Sequence, residues 1–446
     1  MRFRYGAVLG ALVLSGHVSA TGPGGGAPPQ QAHNGSAPAL DRALAAFVAD
    51  PARPLSGLAV LAIRDGAVVY EGQFGLARID TAGTGSTRAV TPHTLFRIAS
   101  ISKMMTTFGL MKLVEEGKLA LDEDIGTYLG YPVRNPHFPD RPVTLRHLLT
   151  HTSSLRDDGG YSWGAGVALK DKLTQGGPAW ASTGAPGRYF TYCNLGWGVI
   201  GTVMERVTGE RFDLLMRRLL LAPMGLRGGY NPAMFTPDEV ADTATLYRRR
   251  TTDTEIWNPA GPWIAQVDDF GVRPPAAPAG IERYVPGTNG TLFSPTGGLR
   301  ISARDLGKVM LMLIGGGIHD GKRILRRETI ALMFTEHWRH DGSGGGNGDT
   351  LHGLYHSWGL GTQRFGDFDG KGNRLVEGAR FTAVGHLGEA YGLISTFAVD
   401  LRNRDGVVSL IGGVGTDPER DPGRYSAHAG VEEAILTTLY RSAVAR

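Results

Sequence analysis

The chain has 446 residues, of which 41% are hydrophobic and 20% charged, a balance that is typical of globular proteins and excludes a disordered chain. Its formal net charge of +4 is too small, at this length, to predict a nucleic-acid or membrane-surface partner. Cys193 is the single cysteine, which excludes an internal disulfide, and no run reaches the roughly 18 apolar residues of a membrane span.

The start of the chain predicts export. Residues 1–20 resemble a secretory signal peptide, because two arginines precede a short apolar stretch, 6–15, and small residues suited to cleavage follow it. A buried N-terminal helix is the alternative. Residues 21–39 are rich in Gly, Pro and Ala and predict a flexible linker. We therefore expect a secreted or periplasmic protein with one folded domain over residues 40–446.

Hydrophobic patterns after the linker predict a helix and then a β-hairpin. Residues 40–50 have helical spacing and end at a proline. Two apolar runs, 58–63 and 67–70, are joined through Asp65-Gly66, and Asp-Gly is a strong signal for a tight hairpin turn. Two antiparallel strands are expected directly after the first helix.

A Ser-x-x-Lys pattern at Ser100 and Lys103 opens the next helical segment, which closes at Gly117. Residues three apart in a helix lie on one face, so the two side chains are expected to be neighbours. A serine hydroxyl needs a base to become a nucleophile, and burial can lower a lysine pKa enough for that task. By itself the pattern also fits an N-capped helix with an exposed lysine.

Two further patterns could join this pair. Tyr192 and Asn194 lie two residues apart, so their side chains point the same way from an extended segment. His386-Leu387-Gly388 comes shortly before strand-like residues. These three patterns together suggest one composite site.

The end of the chain mirrors its beginning. Residues 393–401 and 407–414 predict two strands joined through a second Asp-Gly pair, and 428–444 predict a final helix. Strands cluster at both ends, whereas helices and loops dominate the middle. This distribution favours an α+β fold in which the first and last segments share one antiparallel sheet.

With these motifs the chain resembles the serine β-lactamase and penicillin-binding-protein superfamily, specifically its class C-like branch of esterases and D-aminopeptidase-like enzymes. The wider superfamily is known for S-x-x-K, S-D-N and K-T-G, and the class C-like branch for Tyr-x-Asn at the second position. Segments 117–122, 144–153 and 297–306 also look familiar from the family. The resemblance covers roughly residue 40 to the C-terminus. It implies a β-lactamase/transpeptidase-like fold, an antiparallel sheet flanked by helices with a mostly helical subdomain.

The resemblance also implies a role for each matched residue. Ser100 would be the acylated nucleophile, and Lys103 and Tyr192 would share the general acid and base work. Asn194 would bind the substrate, and the backbone N–H groups of Ser100 and Glu389 would form the oxyanion hole. The expected partner is a small-molecule or peptide substrate, with no metal and no organic cofactor.

The third motif departs from the family pattern, because His386-Leu387-Gly388 replaces Lys-Thr-Gly. The resemblance makes His386, Gly388 and Glu389 substrate-binding residues. A histidine with an ordinary pKa of about 6.5 is mostly neutral at pH 7, so it does not replace a lysine that binds a substrate carboxylate. The departure favours esters or amides over penicillins. Glu389 would attract an amine if its side chain faced the pocket, and the alternative is that it points outward.

Other patterns offer competing sites. Ser162 lies in a G-x-S-x-G sequence, but the strand and helix that flank this motif in α/β-hydrolases are not predicted. His147 and His151 have the spacing of a zinc protease, but leucine replaces its glutamate. Cys193 is expected to pack in the core, and residues 248–250, three arginines, to form a solvated loop.

The sequence alone leaves three functions open. The favoured one is a serine hydrolase that acts through an acyl-enzyme at Ser100 on esters or amides. A class C-like β-lactamase or D,D-carboxypeptidase is the first alternative, and a non-enzymatic binding protein with the same fold is the second. Substrate identity is expected to depend on residues 157–185 and 230–293. The sequence does not indicate the oligomeric state.

Overall fold

The structure, a computed structural model, describes residues 38–81, 83, 86–250, 256–342, 346–366, 372–378 and 381–445. The predicted signal peptide, and with it the expected secreted or periplasmic location, lies outside these residues and stays a prediction, as does nearly all of the linker. The first helix begins at Pro38, just before the predicted start of the folded domain. Within the described ranges, no helix is long and apolar enough to cross a membrane.

The described residues form α-helices and strands throughout. The α-helices are α1 (Pro38–Ala49), α2 (Ile101–Glu115), α3 (Ile125–Leu129), α4 (Leu145–Leu149), α5 (Leu169–Thr174), α6 (Leu195–Thr208), α7 (Phe212–Met216), α8 (Pro237–Asp242), α9 (Ala303–Ile314), α10 (Arg327–Phe334) and α11 (Gly430–Leu439). Shorter 3₁₀ or π turns are Arg217–Leu221, Pro232–Met234, Ile281–Arg283, Gly290–Phe293, Pro418–Arg420 and Tyr440–Val444. The strands are β1 (Gly57–Arg64), β2 (Ala67–Arg78), β3 (Arg88–Ala89), β4 (Phe96–Arg97), β5 (Leu246–Arg248), β6 (Ile264–Val267), β7 (Arg300–Ile301), β8 (Ile318–His319), β9 (Lys322–Arg323), β10 (Trp338–Arg339), β11 (Ser357–Trp358), β12 (Gln363–Phe365), β13 (Ala383–Ala390), β14 (Leu393–Asp400), β15 (Asp405–Ile411) and β16 (Gly413–Val414).

One large sheet joins the two ends of the chain. Its strand order is β10-β11-β12-β13-β14-β15-β1-β2-β3, and its neighbouring strands are antiparallel. β1 pairs with β15, with Leu58 opposite Ile411. Asp65 and Gly66 have φ values of 53° and 80°, the left-handed geometry that a tight hairpin turn requires. The predicted α+β fold, with its first and last segments in one antiparallel sheet, is therefore confirmed.

The centre of this sheet is buried on both faces. Alternate residues of β1 point to opposite faces, with Ala59, Leu61 and Ile63 on one and Leu58, Val60 and Ala62 on the other. Helices α2 and α9 cover the first face, and α1 and α11 cover the second. Strands covered on both faces appear in the sequence as continuous apolar runs, which is what β1 shows.

Helix α2 lies at the centre of the packing and positions the functional site. Every residue from Ile101 to Leu113 is buried except Lys112, because β13, β14 and α6 pack around this helix. The Trp197 indole of α6 donates a hydrogen bond to the Lys103 carbonyl oxygen at 3.0 Å. The first turn of α2 is thus held between the sheet and the helical part of the protein.

An acidic side chain, Glu432, is buried between α11 and β14. The Thr396 hydroxyl donates a hydrogen bond to Glu432 Oε1 at 2.5 Å. Burial raises the pKa of Glu432 to about 7, and the nearby carboxylates of Glu389 and Glu433 act in the same direction. Native Glu432 therefore keeps its proton at pH values where the unfolded chain releases it.

We predict that Glu432→Gln stabilises the protein and that its advantage over wild type grows as pH rises from 4.5 to about 7. In this window only the unfolded wild-type chain gives up the Glu432 proton, so wild type loses up to about 1.4 kcal/mol of stability per pH unit. Urea unfolding of both proteins across the window measures the difference. A difference that is constant with pH would contradict this prediction.

Candidate active site

Ser100 occupies the N-cap position of α2, and Lys103 follows one turn later. The Lys103 Nζ lies 2.9 Å from the Ser100 Oγ, so the two side chains share one face as predicted. Ser100 makes no capping hydrogen bond and is partly exposed, whereas Lys103 is fully buried. The interpretation as a capped helix with an exposed lysine is therefore wrong. Ala99, between β4 and α2, has a φ of 45°, and Ser100 directly after it is partly exposed.

The contacts of Lys103 determine what its amine can do. Its Nζ lies 2.9 Å from the Ser100 Oγ, 2.8 Å from the Asn194 Oδ1 and 3.1 Å from the Thr296 carbonyl oxygen. Burial lowers the pKa of Lys103 to about 7, against the opposing effect of the Asp157 carboxylate. The last two oxygens only accept hydrogen bonds, whereas the Ser100 hydroxyl also donates. A neutral amine satisfies all three contacts when its lone pair faces the Ser100 hydroxyl.

The second motif lies in the irregular segment just before α6, and Asn194 already has helical backbone angles. The Tyr192 ring centre is 4.8 Å from the Lys103 Nζ, and Asn194 occupies the N-cap position of α6. Tyr192 and Asn194 thus both reach Lys103, as their spacing predicts. Cys193 between them is buried, and its thiol donates to the Asp157 Oδ1 at 3.3 Å. Burial raises the pKa of this thiol well above its ordinary value, which fits the predicted packing role.

Aromatic rings hold Tyr192 in place. Its ring stacks on Tyr355, with centres 5.1 Å apart, and lies 4.4 Å from the His151 ring. Trp358 contacts both Tyr192 and Tyr355 edge to face. His151 is buried, and burial lowers its pKa well below the ordinary value, so this ring is neutral. The Tyr192 ring thus packs against uncharged aromatic rings in addition to the Lys103 amine.

The third motif lies on β13, and His386 faces the same aromatic cluster. His386 is 1% exposed, its ring lies 5.4 Å from Trp358, and its Nδ1 is 2.6 Å from the Leu387 carbonyl oxygen. Burial lowers the pKa of His386 to about 3. This position therefore carries no positive charge at neutral pH.

Gly388 allows β13 to approach the nucleophile closely. Strand β12 pairs with β13 as far as Gly385, and beyond that residue α2 packs beside β13. A Cβ atom on Gly388 would lie 2.5 Å from the Ile98 carbonyl oxygen and 3.1 Å from the Ser100 backbone nitrogen. The backbone after Gly388 thus runs next to the Ser100 N–H, as an oxyanion hole made of two backbone N–H groups requires.

The side chain of Glu389 lies on the other face of β13. Leu387 packs with the cluster that faces α1 and α11, and Glu389, two residues on, shares that face of the strand. Glu389 is exposed and lies near Arg248, Asp417 and Glu419. Of the two orientations that the sequence left open, the structure has the outward one, and the backbone of Glu389 is what borders the site.

Two residues that the sequence analysis did not single out complete the site. Thr296 contacts Lys103 through its carbonyl oxygen and donates its hydroxyl to the Asn194 Oδ1 at 2.8 Å. The Asp157 carboxylate accepts hydrogen bonds from Asn194 and from the first turn of α6. Thr296 directly precedes segment 297–306, which resembles the family, and Asp157 begins the stretch 157–185 that the sequence analysis linked to substrate identity, so these positions were the available signals.

The competing sites lack the required geometry. Ser162 is exposed in a stretch without helix or strand between Leu155 and α5, so the α/β-hydrolase elbow is absent. His147 accepts the Thr144 backbone N–H through Nδ1 at 3.3 Å and closes the capping box of α4. Within the described residues, no group of three or more His, Cys, Asp or Glu side chains is arranged to hold a metal ion.

The expectation of a solvated loop over residues 248–250 was wrong. Arg248 ends β5, and Arg250 forms a bridge with Trp257. The Arg249 guanidinium lies 4.5 Å from the Trp263 ring centre, and that of Arg248 lies 5.7 Å from the Trp257 ring centre. Cation–π contacts with indoles thus order a segment whose charge alone predicts solvation.

The structure has a β-lactamase/transpeptidase-like fold, an antiparallel sheet flanked by helices. At its site a lysine contacts a partly exposed serine at a helix N-terminus. The sequence profile described as Beta-lactamase matches residues 40–432. The chain belongs to this family.

Individual relatives differ in their named activities. Penicillin-binding protein 4 of Amycolatopsis lactamdurans is 28% identical over 60% of this chain and 65% of its own length. Esterase EstB of Burkholderia gladioli is 32% identical over 39% of this chain and 47% of its own length. The chain thus spans about half to two thirds of the length of these relatives. The D-amino acid amidase from Ochrobactrum anthropi SV3, solved with L-phenylalanine, is 20% identical with a TM-score of 0.60, covering 91% of this chain and 98% of the amidase, and shares the fold.

We predict that Gly388→Ala lowers the free energy of unfolding by about 1–3 kcal/mol, because the new methyl group would overlap the Ile98 carbonyl oxygen. Chemical denaturation measures this change. Gly166→Ala is the matched control, because a Cβ there meets no atom within 4 Å, and we expect a change below about 0.5 kcal/mol. Equal stability of Gly388→Ala and wild type would show that β13 and α2 are not in close contact at this point.

Proposed function

We propose that this protein is a serine hydrolase that forms an acyl-enzyme at Ser100 on esters or amides. The observation that carries the proposal is the contact between Ser100 and the buried amine of Lys103. A base with a pKa of about 7 is half neutral at physiological pH, which is the condition under which it accepts a serine proton. Membership of a family whose relatives include an esterase supports this assignment.

The proposed reaction has two stages. Lys103 takes the Ser100 proton while the Ser100 Oγ attacks the substrate carbonyl carbon, and the backbone N–H groups of Ser100 and Glu389 bind the resulting oxyanion. Tyr192 and Lys103 return a proton to the departing alcohol or amine, and an ester bond to Ser100 remains. Water then attacks that ester with the same groups as the base, which releases the acid and restores the hydroxyl.

The third motif supports a substrate without a carboxylate at that position. His386 is neutral and buried in an aromatic cluster, so β13 offers no lysine cation to bind the carboxylate of a penicillin. We therefore propose esters or D-amino-acid amides as substrates, which agrees with the names of the esterase relative and the amidase of like fold. A β-lactamase or D,D-carboxypeptidase activity is the second candidate, because one relative is a penicillin-binding protein.

We predict that a fluorophosphonate adds one covalent group to wild type and to Ser162→Ala but none to Ser100→Ala. The reagent labels an activated serine. Of Ser100 and Ser162, Ser100 is the one that contacts a buried base. Intact-mass spectrometry of the three proteins after brief exposure measures the adduct. Ser162→Ala is the matched control, because that serine is exposed in a loop. An adduct lost only in Ser162→Ala would contradict the assignment, and no adduct in any protein would favour the non-enzymatic alternative.

A substrate panel separates the two candidate activities. We expect Ser100-dependent turnover of simple esters or D-amino-acid amides and much slower turnover of a cephalosporin, because the third motif carries no cation. Efficient cephalosporin hydrolysis would instead make the β-lactamase alternative the better assignment.

We predict that the rate of fluorophosphonate labelling rises with pH through a midpoint near 7 and then levels off. Below this midpoint Lys103 carries a proton and cannot accept one from Ser100, so the rate falls about tenfold per pH unit. Labelling rates across this range in wild type measure the midpoint. Lys103→Met removes the base and should lower the plateau by about 10²–10⁴-fold. A midpoint near the ordinary lysine pKa, about 10.4, would contradict the proposed role of burial.

A further inference from the structure

The carboxylate of Asp157 accepts hydrogen bonds from Cys193, Asn194 and Leu195. Its Oδ1 accepts the Leu195 backbone N–H at 2.9 Å and the Cys193 thiol at 3.3 Å. Its Oδ2 accepts the Asn194 backbone N–H at 2.9 Å and the Asn194 Nδ2 at 2.8 Å. Only a carboxylate accepts at both ends, since an asparagine in this place would present one acceptor and one donor.

This carboxylate fixes the direction of the Asn194 amide. Because the Nδ2 of Asn194 is bound to Asp157, its Oδ1 faces Lys103 Nζ and the Thr296 hydroxyl, both at 2.8 Å. A reversed amide would direct Nδ2 towards these donors and Oδ1 towards the carboxylate. Both contacts would then be repulsive, so Asp157 selects the orientation in which Asn194 holds the Lys103 amine.

The negative charge of Asp157 also acts on Lys103. The carboxylate favours the protonated amine and so opposes the effect of burial on the Lys103 pKa. Burial keeps the imidazoles of His151 and His386 and the thiol of Cys193 uncharged near pH 7. The titratable groups that face Lys103 from the surrounding elements are Asp157, His151, Tyr192, Cys193 and His386.

We propose that Asp157 is a positioning residue of the active site, which fixes the Asn194 amide so that the Lys103 amine is held against the Ser100 hydroxyl. The chain Asp157–Asn194–Lys103–Ser100 places a carboxylate behind the base, as a third group orients the base in other nucleophilic enzymes. The proposal rests on the proposed function, because it assigns Asp157 a part in activating Ser100. Its negative charge additionally sets the pH at which Lys103 begins to act.

The test compares Asp157→Asn and Asp157→Glu with wild type and with Asp158→Asn, an exposed neighbouring aspartate that serves as the matched control. The readouts are the rate of fluorophosphonate labelling as a function of pH and the melting temperature of each protein. Asp157→Asn removes the charge and one acceptor, whereas Asp157→Glu keeps the charge and displaces it. The labelling curve gives a plateau rate, which reports geometry, and a midpoint, which reports the charge near Lys103.

For Asp157→Asn we expect a plateau about tenfold or more below wild type, because the base is misplaced. We also expect its midpoint to move to lower pH by about half a unit or more, because a carboxylate that favoured protonated Lys103 is gone. Asp157→Glu should lower the plateau with little change in the midpoint. Asp158→Asn should match wild type in both values.

An Asp157→Asn protein with the wild-type plateau would overturn the proposal, even if its melting temperature fell, because Asp157 would then only support α6. If Asp157→Asn does not fold, Asp157→Glu decides, and a wild-type plateau in that variant would overturn the proposal. The proposed function has its own test, and it fails if Ser100→Ala is labelled as fast as wild type. If labelling depends on Ser100 but the Asp157 variants have the wild-type labelling curve, only this inference is rejected.

Discussion

The site depends on keeping one amine, the Nζ of Lys103, away from water. Burying an ammonium costs several kcal/mol unless charged groups compensate for it. The atoms that contact Nζ are a hydroxyl, an amide oxygen and a carbonyl oxygen, all uncharged. They supply no counter-charge, so burial lowers the pKa of Lys103 to about 7. Under the proposed function, the same burial that costs folding energy prepares the amine to accept the proton of Ser100.

The rest of the fold brings three distant segments to this amine. Helix α2 is enclosed by the sheet and by α6, so Lys103 has no route to solvent along its own helix. Strand β13 can approach Ser100 because Gly388 has no side chain at the point of contact. Segment 192–194 presents two of its side chains to Lys103 while Cys193 binds Asp157. Each contact restricts the amine further, and together they define one position for it.

The third motif of this chain differs from the family pattern in its charge, although the chain belongs to the family. The sequence profile places the chain in the beta-lactamase family, and the D-amino acid amidase shares its fold. Within that fold, His386 is a neutral ring inside an aromatic cluster, where the resemblance leads one to expect a cation. Under the proposed function, the loss of one positive charge at this position favours carbonyl substrates without a carboxylate, while the contact between Ser100 and Lys103 is present.

The sequence by itself determined the features that depend on local geometry. Helical spacing joined Ser100 to Lys103, the two-residue spacing of Tyr192 and Asn194 indicated that both point to one site, and Asp65-Gly66 marked the first hairpin turn. The second hairpin turns over residues 401–404 instead, because Asp405 and Gly406 already pair with β14 as part of β15. Asp157 and Thr296 remained hidden, because they lie in irregular segments, 37 and 102 residues from the Asn194 that they contact. Strand pairing turned the Glu389 side chain away from the cleft, and indole contacts ordered residues 248–250. Only the tertiary structure decided these features, because hydrogen bonds and charge interactions between distant segments leave no periodic pattern in the sequence.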